Sequence, residues 1–120
     1  MTRWLVDAMN VIGSRPDGWW RDREGATRRL LERLREFDEE VTVVLDAGPP
    51  ELAGREDRLT VVLAPRRGRD AADDEIARLL AADPDPGSVR VVTSDATLAA
   101  RARELGAEVE GAGTFRRRLD

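Results

Sequence analysis

The chain has 120 residues with no His, Cys, Lys or Tyr; its 20 basic residues are all Arg, set against 24 Asp and Glu, for a formal net charge of −4. This excludes a Ser-His-Asp triad, a thiol nucleophile, a disulfide, a zinc site of the usual N/S kind, a Schiff base and a P-loop lysine. The chemistry left is that of carboxylates, which usually work through a hard metal ion.

Hydrophobic residues make up 41 % and charged residues 37 % of the chain, the balance of a globular protein rather than a disordered one, and the length suits one domain over 1–120. The longest apolar runs, such as VTVVL, are strand-length, so no membrane span and no membrane partner is expected. Met1 leads directly into the strand-like WLV, so no signal peptide is expected, and the absence of Cys fits a cytoplasmic location.

In chain order, RWLVD (Arg3 to Asp7) predicts a buried strand ending in an acid. Asn10 to Arg23, with two Gly and one Pro, reads as a loop. A helix is predicted from about Glu24 to Phe37, with Ala26, Leu30, Leu34 and Phe37 on one face. Val41 to Asp46 lacks polar alternation, the pattern of a parallel strand covered on both sides. The connection AGPPELAGRED is turn-rich, without a clear helix and short for a parallel crossover. Leu59 to Ala64 is a third strand, about Asp70 to Ala82 a helix, and Val89 to Ser94 a fourth strand. A helix from about Ala96 to Leu105 stops at Gly106, AEVEG is a short fifth strand, and TFRRRL a last helical turn. The alternation specifies an α/β sheet with helices on both faces.

This topology sets Asp7, Asp46 and Asp95 at the carboxyl ends of strands one, two and four, and Asp70, Asp73, Asp74 and Glu75 at the start of the helix after strand three. In a parallel sheet these positions share one edge, where ligands bind. At 100° per residue, Asp73 lies at the margin of the face defined by Ala72, Ile76, Leu79 and Leu80, and Asp74 points nearly opposite it. Carboxylates gathered in this way repel one another unless a proton or cation intervenes, and a divalent ion resolves the conflict. Other acids also have an ordinary reading, Asp70 with Asp73 as a capping pair, Asp95 as an N-cap and Asp46 as a turn residue, but Asp7 follows an apolar strand, and a buried acid there needs partners. Asn10 is equally a turn former and an amide that orients a carboxylate, a metal-bound water or a phosphate.

Two Arg groups flank the same edge: Arg15, Arg21 and Arg23 after strand one, and Arg66, Arg67 and Arg69 after strand three. Guanidinium groups there suit a phosphodiester backbone. The triplet Arg116, Arg117 and Arg118 reads as solvated. Trp19 and Trp20 are adjacent, so one is free to stack on a base or to cover a helix end.

VDAMNVIG, VTVVLDAG, GRDAADDEI and VRVVTSDATLA, taken in this order, resemble the NYN family within the PIN-like nuclease superfamily, and most of all its YacP-like branch. Asp7 and Asn10 match the opening acid and Asn of the family pattern, and Asp46 its acid after the second strand. Ala72, Asp73, Asp74 and Ile76 match its Ala-Asp-acid element, and Thr93 with Asp95 its Thr-x-Asp. Ala8 stands where Gly is common, and Ala47 also departs from the pattern; neither change removes a carboxylate.

The resemblance implies a PIN-like three-layer domain over 1–120, with a mainly parallel sheet of order 3-2-1-4-5. It further implies Mg²⁺ or Mn²⁺ held by Asp7, Asp46, Asp73, Asp74 and Asp95, and endonucleolytic cleavage of RNA, single-stranded or ribosome-associated, by a metal-activated water. Asp7, Asn10, Asp46, Asp73 and Asp95 are then the catalytic set; the Arg-rich loop and the DGWW segment are not mapped by the family pattern, and Arg15, Arg66, Arg67 and Arg69 are expected as RNA contacts from their place beside the acids. The alternative is a non-catalytic RNA- or ribosome-binding module with a vestigial metal site. A phospho-acceptor signalling domain also collects acids at strand ends, but it needs a Lys that this chain lacks.

Overall fold

Valine-rich runs without polar alternation take the centre of a sheet, where both faces are covered. In the computed structural model, which describes residues 1–120 apart from Arg66, Arg67 and Arg69, these runs are β1 (Arg3–Asp7), β2 (Val41–Leu45), β4 (Leu59–Leu63) and β5 (Val89–Val92). They run parallel, joined at one edge by the parallel β6 (Glu108–Glu110) and at the other by the antiparallel β3 (Gly54–Glu56), in the order β3-β4-β2-β1-β5-β6. Apart from β3, this is the expected order of third, second, first, fourth and fifth strands.

Strand alternation sorts the core into two halves. Trp4, Val6, Val43 and Leu45 face α1 (Ala8–Gly13), α2 (Arg23–Glu36) and α5 (Ala112–Leu119). Leu5, Val44, Val89 and Val91 face α3 (Ala71–Ala81) and α4 (Ala96–Glu104). The result is the three-layer α/β arrangement with helices on both faces.

Three segments differ from the expected ones. The chain enters α1 directly at the end of β1, where a loop is predicted; Ala8, Val11 and Ile12, at helical spacing, are its buried residues. The connection between β2 and β4 contains a 3₁₀ turn at Pro50–Leu52 and then β3, which turns back at Asp57 (φ 54°) to pair with β4. An antiparallel excursion thus does the work of a crossover helix. Last, the expected C-terminal turn is the two-turn helix α5, with Phe115 fully buried against Trp4 and Phe37.

The register fixes the rim that matters: Asp7 lies opposite Val44 of β2, and Val6 opposite Val92 of β5, so the carboxyl ends of β1, β2 and β5 stand together. Among the described residues no helix is long and apolar enough to cross a membrane.

Candidate active site

Asp7 has the strand parity of Leu5, toward the layer of α3 and α4, and is only 3 % exposed. A carboxylate buried there needs partners. Asn10, one turn into α1, donates from Nδ2 to Asp7 Oδ2 at 2.5 Å, and Thr93 Oγ1 approaches the same oxygen at 3.4 Å. Burial, followed by the negative charge of Asp73, pushes the Asp7 carboxyl up to about 6, against the pull of these hydrogen bonds.

Asp73 comes from the first turn of α3 and accepts no side-chain hydrogen bond or ion pair among the described residues. Its affinity for a proton is raised by burial first and then by the charges of Asp95 and Asp70, with Arg101 acting in the opposite sense. Asp95 is both a cap and a member of this group. Its Oδ1 accepts from the backbone N–H of Thr97 and Leu98 at 2.8 and 3.0 Å, while its own N–H donates to Thr93 Oγ1 at 3.1 Å. Asp70 holds the N-cap position of α3 without a side-chain capping bond, so the capping pair with Asp73 does not form.

Asn10 and Thr93 tie the group together. Asn10 Oδ1 accepts the Ser94 backbone N–H at 3.0 Å while its amide holds Asp7, so one side chain spans the ends of β1 and β5. Ser94 is a member that sequence reasoning misses; its Oγ also accepts the Ala112 N–H at the start of α5. Its signal, a Ser between Thr93 and Asp95, is too common to stand out.

Other expected members lie elsewhere. Asp46, just past β2, turns toward the opposite face of the sheet and pairs with Arg23 of α2 at 3.4 Å. Asp74 points outward, as the helical reading requires, and pairs with Arg101 at 3.3 Å. Glu75 is buried and gripped by Arg78 through bonds of 2.6 and 2.7 Å, which hold its carboxyl below the usual range. Arg15 pairs with Asp120 beside α5. Arg66, Arg67 and Arg69 fall outside the described residues. The C-terminal arginines are more engaged than expected: Arg116 donates to the Ser14 carbonyl at 2.6 Å and Arg118 grips Glu110. Trp19 packs on the core, whereas Trp20 is 59 % exposed beneath Arg21.

Among the described residues no group of three or more acids is gathered tightly enough to hold an ion as it stands. The donor chemistry nevertheless suits a hard divalent cation. Asp7, Asp73 and Asp95 offer carboxylate oxygens only, Asp73 has no described partner, and Asp7 and Asp73 are each strained by a like charge that a cation would offset.

The fold is similar to solved structures of Rae1 (YacP) from Bacillus subtilis. One aligns with a TM-score of 0.76 at 25 % identity, covering 99 % of this chain and 74 % of that one. A tryptophan-to-leucine variant of the same protein aligns at 0.77 and 26 % identity, covering 99 % and 75 %. No curated protein sequence matches significantly. The YacP-like NYN domain pattern matches residues 4–120. The chain therefore belongs to the YacP-like NYN domain family, a family of PIN-like nucleases.

Proposed function

We propose that this protein is a metal-dependent endoribonuclease that hydrolyses RNA phosphodiester bonds at the carboxyl rim of its sheet. One observation carries the reading. Asp7, Asp73 and Asp95, separated by up to 88 positions along the chain, come from β1, α3 and the cap of α4, and burial with neighbouring negative charge opposes the ionisation of Asp7 and Asp73. Such perturbed carboxylates on a ligand-binding rim are candidates for function.

These three side chains would hold Mg²⁺ or Mn²⁺, with Asp46 and Asp74 as outer members reached directly or through water. A bound ion would polarise a phosphoryl oxygen and lower the pKa of a coordinated water. Asn10 fixes the rotamer of Asp7 and the end of β5, so the acids keep their relation when a polyanion approaches. Thr93 holds the Asp95 backbone N–H, and the N–H groups of Thr97 and Leu98 hold its carboxylate. Arg66, Arg67 and Arg69, between β4 and α3, and Arg15, after α1, are proposed to meet the RNA backbone, where guanidinium groups pair with phosphates.

The deciding experiment is turnover of a single-stranded RNA with Mn²⁺, by wild type and by Asp73→Asn, in preparations free of contaminating RNase. Cleavage by wild type that EDTA blocks and the substitution abolishes is expected. RNA binding without turnover would replace the nuclease reading by that of a non-catalytic RNA-binding module, and full cleavage by Asp73→Asn would reject the assignment of the site.

A further inference from the structure

Past Asp46 the rim opens into a cleft of about 210 Å³ between α1, the start of α2 and the turn after β2. Met9, Pro49 and Leu52 give it apolar walls, the Gly48 backbone lies at one side, and Arg23, Glu24 and Asp46 supply charge. The volume is far above the ~30 Å³ share of one water and below the roughly 300–1,000 Å³ of pockets for drug-sized ligands, so it suits a single ring system.

The lining has the chemistry of a base site. A Met thioether and short aliphatic walls pack against a flat ring without demanding one shape. The Arg23–Asp46 contact is loose, at 3.4 Å with the side chains 56 % and 33 % exposed. It sets guanidinium donors beside a carboxylate acceptor, and the edge of every nucleobase likewise sets acceptors beside a donor. The cleft borders the carboxyl rim on the α1 and α2 side of the sheet. Met9 adjoins Asn10, which holds Asp7, and Asp46 lies two positions beyond Val44, the register partner of Asp7.

We propose that this cleft receives one nucleobase of the RNA strand, next to the phosphodiester that is cut, with Arg23 as the residue that discriminates among bases. The inference rests on the nuclease reading for the identity of the ligand, and its test is made on binding so that the two can fail separately.

A fluorescent single-stranded oligonucleotide, carrying one abasic site stepped along its length, is titrated with the protein in Ca²⁺, and affinity is read by anisotropy. One abasic position should weaken binding about tenfold and the others less than about twofold. Leu52→Trp, which places an indole in the cleft, should bind every oligonucleotide at the weakened level and lose the positional dependence, with its melting temperature checked in parallel. Arg23→Gln leaves the cleft open and should level the affinities of the four bases at the sensitive position. Uniform losses along the strand, a positional profile that survives a folded Leu52→Trp, or no binding at all would overturn the proposal. If the positional loss appears but no RNA is cut, the cleft stands and the nuclease reading falls. If RNA is cut but the profile is flat, the reverse holds.

Discussion

At the amino ends of the strands, Arg3 grips Asp83 through hydrogen bonds of 2.7 and 2.8 Å and also reaches Ser88 Oγ and the Asp85 carbonyl. At the carboxyl ends Asp7, Asp73 and Asp95 come together, opposed among the described residues by Arg101, which is itself engaged with Asp74. The same residue type therefore meets opposite fates on the two rims. The Arg3 hydrogen bond holds the Asp83 carboxyl below its ordinary value, while burial and like charge push those of Asp7 and Asp73 up. A lowered carboxylate pKa contributes to folding at neutral pH, and a raised one costs stability there. One rim closes the structure, and the other holds unfavourable negative charge that a cation can relieve.

The contrast breaks most readily at Asp73. Asp73→Asn should reduce RNA cleavage by roughly a thousandfold or more, the several kcal/mol that metal-assisted catalysis supplies, while leaving the melting temperature unchanged or higher. Wild-type cleavage would reduce the acid rim to ordinary surface. Asn10→Ala should come next, with a loss of about 10–100-fold in activity or in Mn²⁺ affinity, because its amide positions Asp7 rather than meeting substrate. A melting temperature that collapses along with activity would instead make Asn10 part of the scaffold.

Acid titration sharpens the comparison because the two rims should respond with opposite sign. Asp7 titrates near 6 in the fold against 3.8 unperturbed, so between these values the folded chain holds more protons than the unfolded one. Its contribution makes stability fall as pH rises through that window, by up to about 3 kcal/mol. Melting in EDTA from pH 4 to 7 should show a downward slope that Asp7→Asn flattens and that Mn²⁺ offsets at the upper end. The contribution of Asp83 is present above its ordinary 3.8 and is lost as pH falls through its lower folded value, so Asp83→Asn should flatten only the limb below about pH 4.

The smallest effect is expected at Arg3. Arg3→Met should cost about 1–2 kcal/mol of stability in denaturant titrations, moderated by its one-third exposure, with RNA cleavage unaltered. A loss of activity larger than the loss of fold would join the two rims functionally and end the distinction.

Much of the sheet can be read from local pattern. VTVVL and LTVVL have no polar alternation and lie side by side within the sheet, and strand–helix alternation leads to the parallel order. What escapes is local signal too weak to outweigh its neighbours. The spacing of Ala8, Val11 and Ile12 is helical, but six residues followed by Ser-Arg-Pro look like a loop until the core packs on them. GRE has no apolar residue, and it becomes β3 because β4 offers an unpaired edge.

The acids divide in the same way. By itself the sequence determined that carboxylates would be the available chemistry, that Asp7, Asp46 and Asp95 would follow strand ends with Asp73 in the first turn of the helix after the third strand, and that Asp74 would turn out. It determined this because strand parity and helical periodicity are short-range geometry. Only the tertiary structure decided that Asp46 leans to Arg23 on the far face of the sheet, that Asp95 caps a helix while its charge bears on Asp73, and that Asn10 bridges to Ser94. Those outcomes depend on which charge or amide lies within a few ångströms after the layers pack, and such neighbours can be up to 84 positions away along the chain.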